Sequence, residues 1–310
     1  MPVDVYSDEV FLEHQEHGHP ERPERIAAIG ERLKTVGQVG VSWRGAASAV
    51  ADDALEAVHP REYWQTVQRM ADDGGGWFDP DTYCGARSYH VARIAAGTAV
   101  AATRRAIDER RHAFALLRPP GHHASADRAM GFCLFNNVAI AARAAQQQDG
   151  IERVAILDID VHHGNGTQDI FYDDPTVLYC SLHQWPFYPG TGSADETGAG
   201  AGAGTTVNVP LPAGTIGAAW LGAFDSIVAP AVTAFRPDLV LVSAGLDAHR
   251  DDPLGQLSLS TQTYGAVAAR IIALAKGTTG AVSGWFLEGG YDLAAISDSA
   301  AAIVSALAAG

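Results

Sequence analysis

The stretch Val154-Ala155-Ile156-Leu157-Asp158-Ile159-Asp160-Val161-His162-His163-Gly164-Asn165-Gly166 decides how this chain folds. Its first four residues are apolar and predict a buried β-strand, and acidic and imidazole side chains follow where that strand ends. Because residues two apart in an extended segment project from the same side, Asp158, Asp160 and His162 are expected to converge, while His163 points away. Burying such groups without a partner is costly, so the pattern favours half of a metal site over a structural polar network.

Short apolar runs alternate along the chain with long Ala-rich stretches of helical periodicity. Strands are predicted at 113–117, 154–159, 176–182, 205–209, 238–243 and 281–287, and helices at 88–111, 135–148, 215–235, 260–276 and 292–308. This alternation predicts βαβ units and therefore a mostly parallel sheet covered on both faces. With no Pro- or Ser-rich linker and no fixed-period repeat in the sequence, residues 1–310 are predicted to form a single domain.

Composition narrows the classes of function. Hydrophobic residues make up 47% of the 310 residues, which is ordinary for a globular protein. The formal net charge of −15 argues against nucleic-acid binding but is compatible with a basic protein partner. No uninterrupted apolar stretch of membrane-spanning length and no leader pattern is seen, so no membrane association is expected. The three cysteines lack CxxC spacing, which favours a reduced, cytoplasmic setting.

Four of the predicted strands are followed by segments that carry reactive side chains. These segments are 118–123, 160–163, 244–247 and 288–291. Ligands of open parallel sheets bind beyond the carboxyl ends of the strands, so the four segments are expected to meet. Asp247 then supplies a third ligand beside Asp160 and His162 and leaves a position for water, although Asp after Gly is also a common cap. The oxygen-rich set suits Zn²⁺, and also Fe²⁺, Mn²⁺ or Co²⁺.

Two further groups complete the predicted site. His122 and His123 lie in a loop stiffened by two prolines and can serve a metal-activated water as acid–base groups, or else be buried structural histidines. Tyr291 follows two glycines and can donate a hydrogen bond to a developing oxyanion, or else pack its ring on the sheet.

Eight motifs, in order through almost the whole chain, resemble the zinc-dependent histone deacetylase family. They are HPERPERI (19–26), RPPGHHA (118–124), GFCLFNN (131–137), DIDVHHGNGTQ (158–168), SLH (181–183), PGTG (189–192), SAGLDAHRDDPLG (243–255) and LEGGYDL (287–293). The superfamily also contains acetylpolyamine amidohydrolases and acetoin-utilisation proteins. The resemblance implies the arginase/deacetylase fold, a three-layer α/β/α domain with a central eight-stranded, mostly parallel sheet.

The resemblance also implies a role for each matching position. It identifies Asp160, His162 and Asp247 as the ligands of one catalytic zinc ion. The catalytic group implied comprises His123 as general base, His122 as its electrostatic neighbour, Tyr291 as the carbonyl-polarising phenol, Asp158 as the acidic partner of His122, and Asn165 as the amide that orients His123. Some branches of the family carry Asp at the position of Asn165, and the Asn in this chain resembles the class II branch. Asp158 is thereby assigned to support the ligands instead of binding zinc.

One or two structural potassium ions and a substrate tunnel are implied as well. The first potassium ion would be bound by Asp158, Asp160, His162, Ser181 and Leu182, and the second by Phe171, Asp174 and Val177. The tunnel would be lined by Gly131, Phe132, Tyr188, Leu254 and Gly289. Leu254 stands where the polyamine-selective eukaryotic branch carries a glutamate, which favours acyl-lysine over a cationic polyamine.

We therefore expect a zinc-dependent amidohydrolase that removes acetyl groups from acetyl-lysine side chains and releases acetate and a free amine. A deacetylase of acetylpolyamines or other small N-acetyl amines is an alternative, and the acidic net charge favours it slightly. A non-catalytic acyl-group binding protein ranks lower, because it predicts a broken ligand set or a lost phenol. A homo-oligomer is compatible with the sequence.

Overall fold

Short apolar strands pair in parallel to form the main sheet, as the alternation of strands and helices predicts. The computed structural model describes residues 2–37, 40–278 and 282–310. The strands are β1 (Val3–Tyr6), β2 (Val41–Arg44), β3 (Gly75–Trp77), β4 (Tyr83–Gly85), β5 (His112–Ala115), β6 (Val154–Asp158), β7 (Val177–Gln184), β8 (Thr206–Leu211), β9 (Leu239–Ala244) and β10 (Ser283–Leu287). Within the described ranges, eight of them form one sheet in the order β2-β1-β5-β10-β9-β6-β7-β8, and β3 and β4 form a separate antiparallel pair.

Helices cover the sheet in two groups. They are α1 (Glu24–Val36), α2 (Asp52–Glu56), α3 (Arg61–Asp72), α4 (Ser88–Glu109), α5 (Asn137–Ala145), α6 (Asn165–Phe171), α7 (Gly217–Ala223), α8 (Ala229–Phe235), α9 (Thr261–Ala275) and α10 (Leu293–Ala309). Helices α1, α10 and α9 pack in sequence against one another, whereas α3, α4 and α5 pack together, and both groups contact the sheet. The result is the three-layer α/β/α arrangement that the resemblance implies.

Most predicted elements agree with the structure to within a few residues. The predicted strand 281–287 begins at Ala281, which lies outside the described residues, and β10 is observed from Ser283. The predicted helix 215–235 is found as α7 and α8, joined by one π-helical segment at Phe224–Val228. Periodicity did not predict β1 and β2, which have only four residues each.

The continuous helical segment Gly217–Phe235 is long and apolar enough, by length and composition alone, to cross a membrane. Only 22% of this segment is buried, yet its large side chains Trp220, Phe224 and Val228 are buried in the protein. Both α7 and α8 pack against α9. The segment therefore belongs to the helical layer of the fold.

The strand order brings the predicted reactive segments together. Strands β10, β9, β6 and β7 are consecutive neighbours, so the loops after them leave one edge of the sheet. In the register of the sheet, Asp158 at the end of β6 pairs with Ser243 of β9 on one side and Ser181 of β7 on the other. Residues 160–163, 244–247 and 288–291 all follow from these strand ends.

Candidate active site

The three expected metal ligands lie together just beyond β6 and β9. Asp160, His162 and Asp247 each offer one ligand atom, and these atoms lie within 4.8 Å of one another. Nδ1 of His162 is 3.1 Å from Oδ1 of Asp160 and 3.3 Å from Oδ2 of Asp247. Two fully buried carboxylates and one largely buried imidazole thus face a common point.

The surroundings of these groups fit a divalent cation. Oδ1 of Asp247 accepts the N–H of Val161 at 2.8 Å. Its buried Oδ2 lies 3.3 Å from Nδ1 of His162 but accepts no hydrogen bond among the described residues. Burial and then the charge of Asp160 raise the pKa of Asp247 to about 7. Burial acts to lower the pKa of His162, but its close contacts with the Asp160 and Asp247 carboxylates raise it to about 10. A cation at this point would satisfy the unpartnered oxygen and neutralise the paired carboxylates.

Asp158 turns away from this point and towards His122. Its Oδ2 accepts hydrogen bonds from Nδ1 of His122 and from the hydroxyl of Tyr179, both at 3.0 Å. The simple spacing expectation that Asp158 converges with the ligands is therefore wrong, because the strand ends at Asp158 and the following residues leave the extended path. Burial acts to lower the pKa of His122, but the charges of Asp158 and Asp160 outweigh it and raise that pKa to about 10. The raised pKa favours the positively charged form of His122.

His123 is held in the opposite state. Its Nδ1 lies 2.8 Å from Oδ1 of Asn165. Because an amide oxygen only accepts, this bond places the ring proton on Nδ1 and leaves Nε2 as an acceptor. Burial, and then the charges of His122 and His162, lower the pKa of His123 well below its ordinary value. The ring centroids of the two adjacent histidines are 4.0 Å apart, so a charged and a neutral imidazole lie side by side.

Tyr291 is fixed through its main chain and its ring. Its N–H donates to Oδ2 of Asp252 at 2.6 Å. The guanidinium carbon of Arg25 lies 4.9 Å from the centre of the phenol ring, and Nε of Arg25 donates to the Gly290 carbonyl at 2.6 Å. Burial raises the pKa of Tyr291 well above its ordinary value, so the hydroxyl keeps its proton and can donate a hydrogen bond. Asp292 then caps α10 by accepting the N–H of Ala295.

Two glycines allow the catalytic groups to approach the backbone. A Cβ on Gly131 would lie 2.3 Å from the ring of His123, and the φ of Gly131 is +56°. A Cβ on Gly289 would lie 2.0 Å from Oδ2 of Asp247 and 2.6 Å from Oδ2 of Asp160. Gly289 also donates its N–H to that Asp160 oxygen at 2.9 Å. Both expected tunnel glycines therefore directly border the reactive groups.

Aromatic rings of the expected tunnel flank the same groups. Phe132 meets the ring of Tyr291 edge-on at a centroid distance of 5.8 Å. Tyr188 meets the ring of His123 edge-on at 5.2 Å, and it is 38% exposed, so it also reaches the surface. The reactive groups are thus approached between two aromatic side chains.

The histidine-rich N-terminal loop lies beside this approach, since the ring of His19 meets that of Phe132 at a centroid distance of 4.7 Å. Leu254 is half-buried and donates its N–H to Asp252, the residue that also holds Tyr291. His17 and His19 line a cavity of about 810 Å³ that Tyr291 also borders, whereas His14 is buried inside the protein.

The residues expected to bind potassium lie in two places. Asp158 and Ser181 are register partners on β6 and β7, and Leu182 follows Ser181. The second expected set lies between the end of α6 and the start of β7 and comprises Phe171, Asp174 and Val177. The carboxylate of Asp174 pairs with Arg143 at 2.6 Å.

His163 lies outside the catalytic group, as the spacing predicts. Its Nδ1 is 2.8 Å from the hydroxyl of Thr191, and its Nε2 is 3.0 Å from Oε1 of Gln168. Burial lowers the pKa of His163 to about 3, which keeps it neutral within this polar network.

Sequence reasoning gave no role to several residues that shape the site, namely Arg25, Tyr179, Phe187, Asp252 and Glu288. Phe187 stacks on the ring of His162 at a centroid distance of 5.4 Å. Arg25, Asp252 and Glu288 lie inside the quoted motifs, so the motifs themselves indicated that these residues lie near the site. Tyr179 lies within an apolar strand, where no pattern distinguishes a tyrosine that holds a carboxylate from one that only packs.

Comparisons with known proteins identify the family to which this chain is similar. A family model described as the histone deacetylase domain matches residues 19–307. The chloroplastic histone deacetylase 10 of Oryza sativa subsp. japonica is 39% identical, covering 96% of this chain and 71% of the relative. The histone deacetylase-like amidohydrolase of Pseudomonas aeruginosa is also 39% identical, covering 94% of this chain and 77% of the relative.

A solved structure extends the agreement to the fold. The crystal structure of the HDA15 HD domain matches with a TM-score of 0.94 and 40% identity, covering 99% of this chain and 90% of that chain. The expected arginase/deacetylase fold with its eight-stranded parallel sheet is confirmed. The chain therefore belongs to the histone deacetylase family, and it is a hydrolase that acts on amides.

Proposed function

We propose that this protein is a zinc-dependent deacetylase that hydrolyses the side-chain amide of acetyl-lysine, with acetate and a free amine as products. The observation that carries the proposal is the position of His123 beside the Asp160, His162 and Asp247 cluster. Its ring centre lies 6.1 Å from that of His162, and its Nε2 is left as an acceptor. The aromatic approach between Phe132 and Tyr188 suits an unbranched acylated side chain.

The ligand cluster supplies the electrophilic part of the chemistry. Asp160, His162 and Asp247 would hold a divalent cation, which polarises an acetyl carbonyl and lowers the pKa of a water molecule when bound. The unpartnered oxygen of Asp247 is the feature that supports this role most directly.

The histidine pair handles the protons. His123 accepts the proton of the attacking water at Nε2, because Asn165 fixes the other ring proton on Nδ1. The positive charge on His122 then stabilises the negative charge that develops on the carbonyl oxygen. The protonated His123 returns its proton to the departing amine nitrogen as the C–N bond breaks.

Tyr291 stabilises the same oxygen from its hydroxyl group. The phenol stays protonated because burial raises its pKa, so it donates a hydrogen bond as negative charge develops. Arg25 and Asp252 hold the ring and the main chain of Tyr291, which fixes the hydroxyl before substrate arrives.

The test is a substrate panel on protein reconstituted with Zn²⁺. Acetate release from acetyl-lysine peptides is expected to exceed release from N-acetylputrescine and N-acetylspermidine. Protein that holds one metal ion per chain and binds acetyl-lysine peptides, but releases no acetate from any peptide or amine, would instead be a non-catalytic acyl-group binder.

A small acetylated amine is the second candidate substrate. The formal charge of −15 supports this candidate. After burial, the negative charges of Asp81 and Asp79 raise the pKa of Tyr188, so these two carboxylates lie near the approach. Such carboxylates attract a cationic polyamine. Preferred turnover of acetylated polyamines in the same panel would establish this reading.

We propose structural potassium at the two sets of residues described above. The adjacency of Asp158 and Ser181 on neighbouring strands supports the first site. Thermal unfolding in KCl, compared with NaCl and choline chloride at equal ionic strength, is expected to show specific stabilisation by K⁺; equal midpoints in the three salts would contradict it.

A further inference from the structure

A buried carboxylate that the proposed mechanism does not use lies between the loop that carries His122 and His123 and the loop that carries Tyr291. Glu288 follows β10 directly and is fully buried. Its Oε2 accepts the N–H of Gly121 at 2.6 Å and the N–H of His122 at 3.2 Å. Its Oε1 accepts the hydroxyl of Ser243 at 3.0 Å. The side chain therefore bonds to the main chain of the loop that carries the histidine pair.

The main chain of Glu288 belongs to the other catalytic loop. Its N–H donates to the carbonyl of Ala244 at 3.2 Å, and its carbonyl accepts a hydrogen bond from Arg25. Arg25 also bonds to the Gly290 carbonyl and lies over the ring of Tyr291. One residue thus joins the backbone of the histidine loop to the backbone of the tyrosine loop.

The chemistry of this contact favours an oxygen acceptor at position 288. All three partners of the Glu288 side chain are donors, which suits an ionised carboxylate. An apolar residue of the same size would leave the N–H groups of Gly121 and His122 buried and unpaired, and unpaired buried donors force the backbone to rearrange.

We propose that Glu288 is a positioning residue for amide hydrolysis. By accepting the N–H groups of Gly121 and His122, it sets the main-chain path from which His122 and His123 reach their carboxylate and amide partners. It does not touch the substrate. Since a misplacement of about 1 Å at a reacting group can lower turnover about 100-fold, loss of this contact should lower kcat and leave KM nearly unchanged.

Two substitutions of similar size separate hydrogen bonding from charge. Glu288→Gln keeps an oxygen that can accept both N–H groups, and the Ser243 hydroxyl can turn to accept from the new amide. Glu288→Leu removes every acceptor. We expect Glu288→Leu to lower kcat about 100-fold, whereas Glu288→Gln keeps at least about a third of kcat, because a neutral acceptor preserves the bonds at modest loss.

A control variant separates positioning from stability. Ser283→Ala lies at the other end of β10 and removes the buried acceptor of the Trp285 indole N–H, 2.8 Å away. It is expected to lower the thermal midpoint without changing kcat per folded, metal-loaded molecule. Circular dichroism and metal content are measured for each variant before kinetics.

The kinetic readout rests on the proposed function, so a second readout is independent of it. The Nδ1–H proton of His122, hydrogen-bonded to Asp158, is observed by NMR in each variant. Its resonance should stay in place in Glu288→Gln and shift or vanish in Glu288→Leu. Should Glu288→Leu not fold, Ser243→Ala, which removes one of the three donors, should shift the same resonance.

The outcomes are distinct. Wild-type kcat and an unshifted resonance in Glu288→Leu, or in Ser243→Ala if the first does not fold, would overturn the inference. A Glu288→Gln variant as impaired as Glu288→Leu would also overturn it, because charge would then be the requirement. If the wild type hydrolyses no acetyl amide but the resonance responds as expected, the proposed function fails and the positioning role stands.

Discussion

Substituting Gly289 with alanine tests the metal site through geometry alone. The added Cβ would lie 2.0 Å from Oδ2 of Asp247 and 2.6 Å from Oδ2 of Asp160, whereas ordinary contact begins at 3.4 Å. At least one carboxylate oxygen must therefore move by more than about 1 Å. A working metal site holds its ligand distances to about 0.2 Å, so this movement is large enough to disrupt binding. The φ of Gly289 is not in the left-handed region, so the backbone itself accepts alanine without strain.

The expected result is a folded protein that has lost its metal. Displacing a supporting group costs 10- to 100-fold in metal affinity, so displacing the ligand oxygens themselves should cost at least about 100-fold. The dissociation constant for Zn²⁺ is measured by competition with a chromogenic chelator, and metal content is measured after dialysis. Acetate release should fall in parallel with metal content.

Gly265→Ala in α9 is the matched control. A Cβ at that position meets no neighbour closer than 3.6 Å, so this variant should keep its metal and gain up to about 1 kcal/mol of stability from the helix-forming alanine. If Gly289→Ala binds one Zn²⁺ with wild-type affinity, the oxygens facing Gly289 are not metal ligands, and the assignment of Asp160 and Asp247 fails.

Further substitutions separate metal binding, catalysis and acid stability. Asp247→Ala should fold but hold less than stoichiometric metal, because it removes the unpartnered oxygen. His123→Ala and Tyr291→Phe should retain metal and lose at least about 100-fold in turnover; wild-type turnover in Tyr291→Phe would remove the phenol from the mechanism. Burial lowers the pKa of His59 to about 4, so the unfolded chain takes up a proton there from about pH 6.5 downwards while the folded chain does not. The free energy of unfolding should therefore fall as the pH drops from 6.5 to 4, by up to roughly 3 kcal/mol from this residue. Urea titrations should show that the free energy of unfolding depends less on pH in His59→Gln than in the wild type. An equal pH dependence in the two proteins would contradict the lowered pKa of His59.

The sequence predicts the strands from β5 to β8 in the sheet order and misses β1 and β2 at one margin. Strands β6, β7, β9 and β10 lie inside the sheet, where both faces are buried, so each contains an unbroken run of at least three apolar residues. Strand β2 lies at the edge, has four residues, and includes Trp43, which is 37% exposed. Such a segment carries no pattern that separates it from a loop, and its strand conformation depends on pairing with β1.

The candidate site was predictable where strand ends determine it. The rule that ligands bind beyond the carboxyl ends of parallel strands brought Asp160, His162 and Asp247 together from distant parts of the chain. The rule fails for side-chain direction after a strand ends, as Asp158 shows. Its orientation depends on His122 and on Tyr179 of the neighbouring strand, and these contacts exist only once the sheet has formed.

The two adjacent histidines show what motif matching alone leaves out. His122 and His123 are consecutive, equally buried and in ring contact, so their surroundings, not their type, must give them different tasks. A carboxylate on Nδ1 of His122 raises its pKa to about 10, whereas an amide oxygen on Nδ1 of His123 fixes the tautomer and adds no charge. Burial disfavours a charge on His123, and repulsion from the charged form of His122 adds to that effect, so His123 stays neutral. Asn165 holds the ring proton on Nδ1, and this leaves Nε2 of the neutral His123 free to accept a proton.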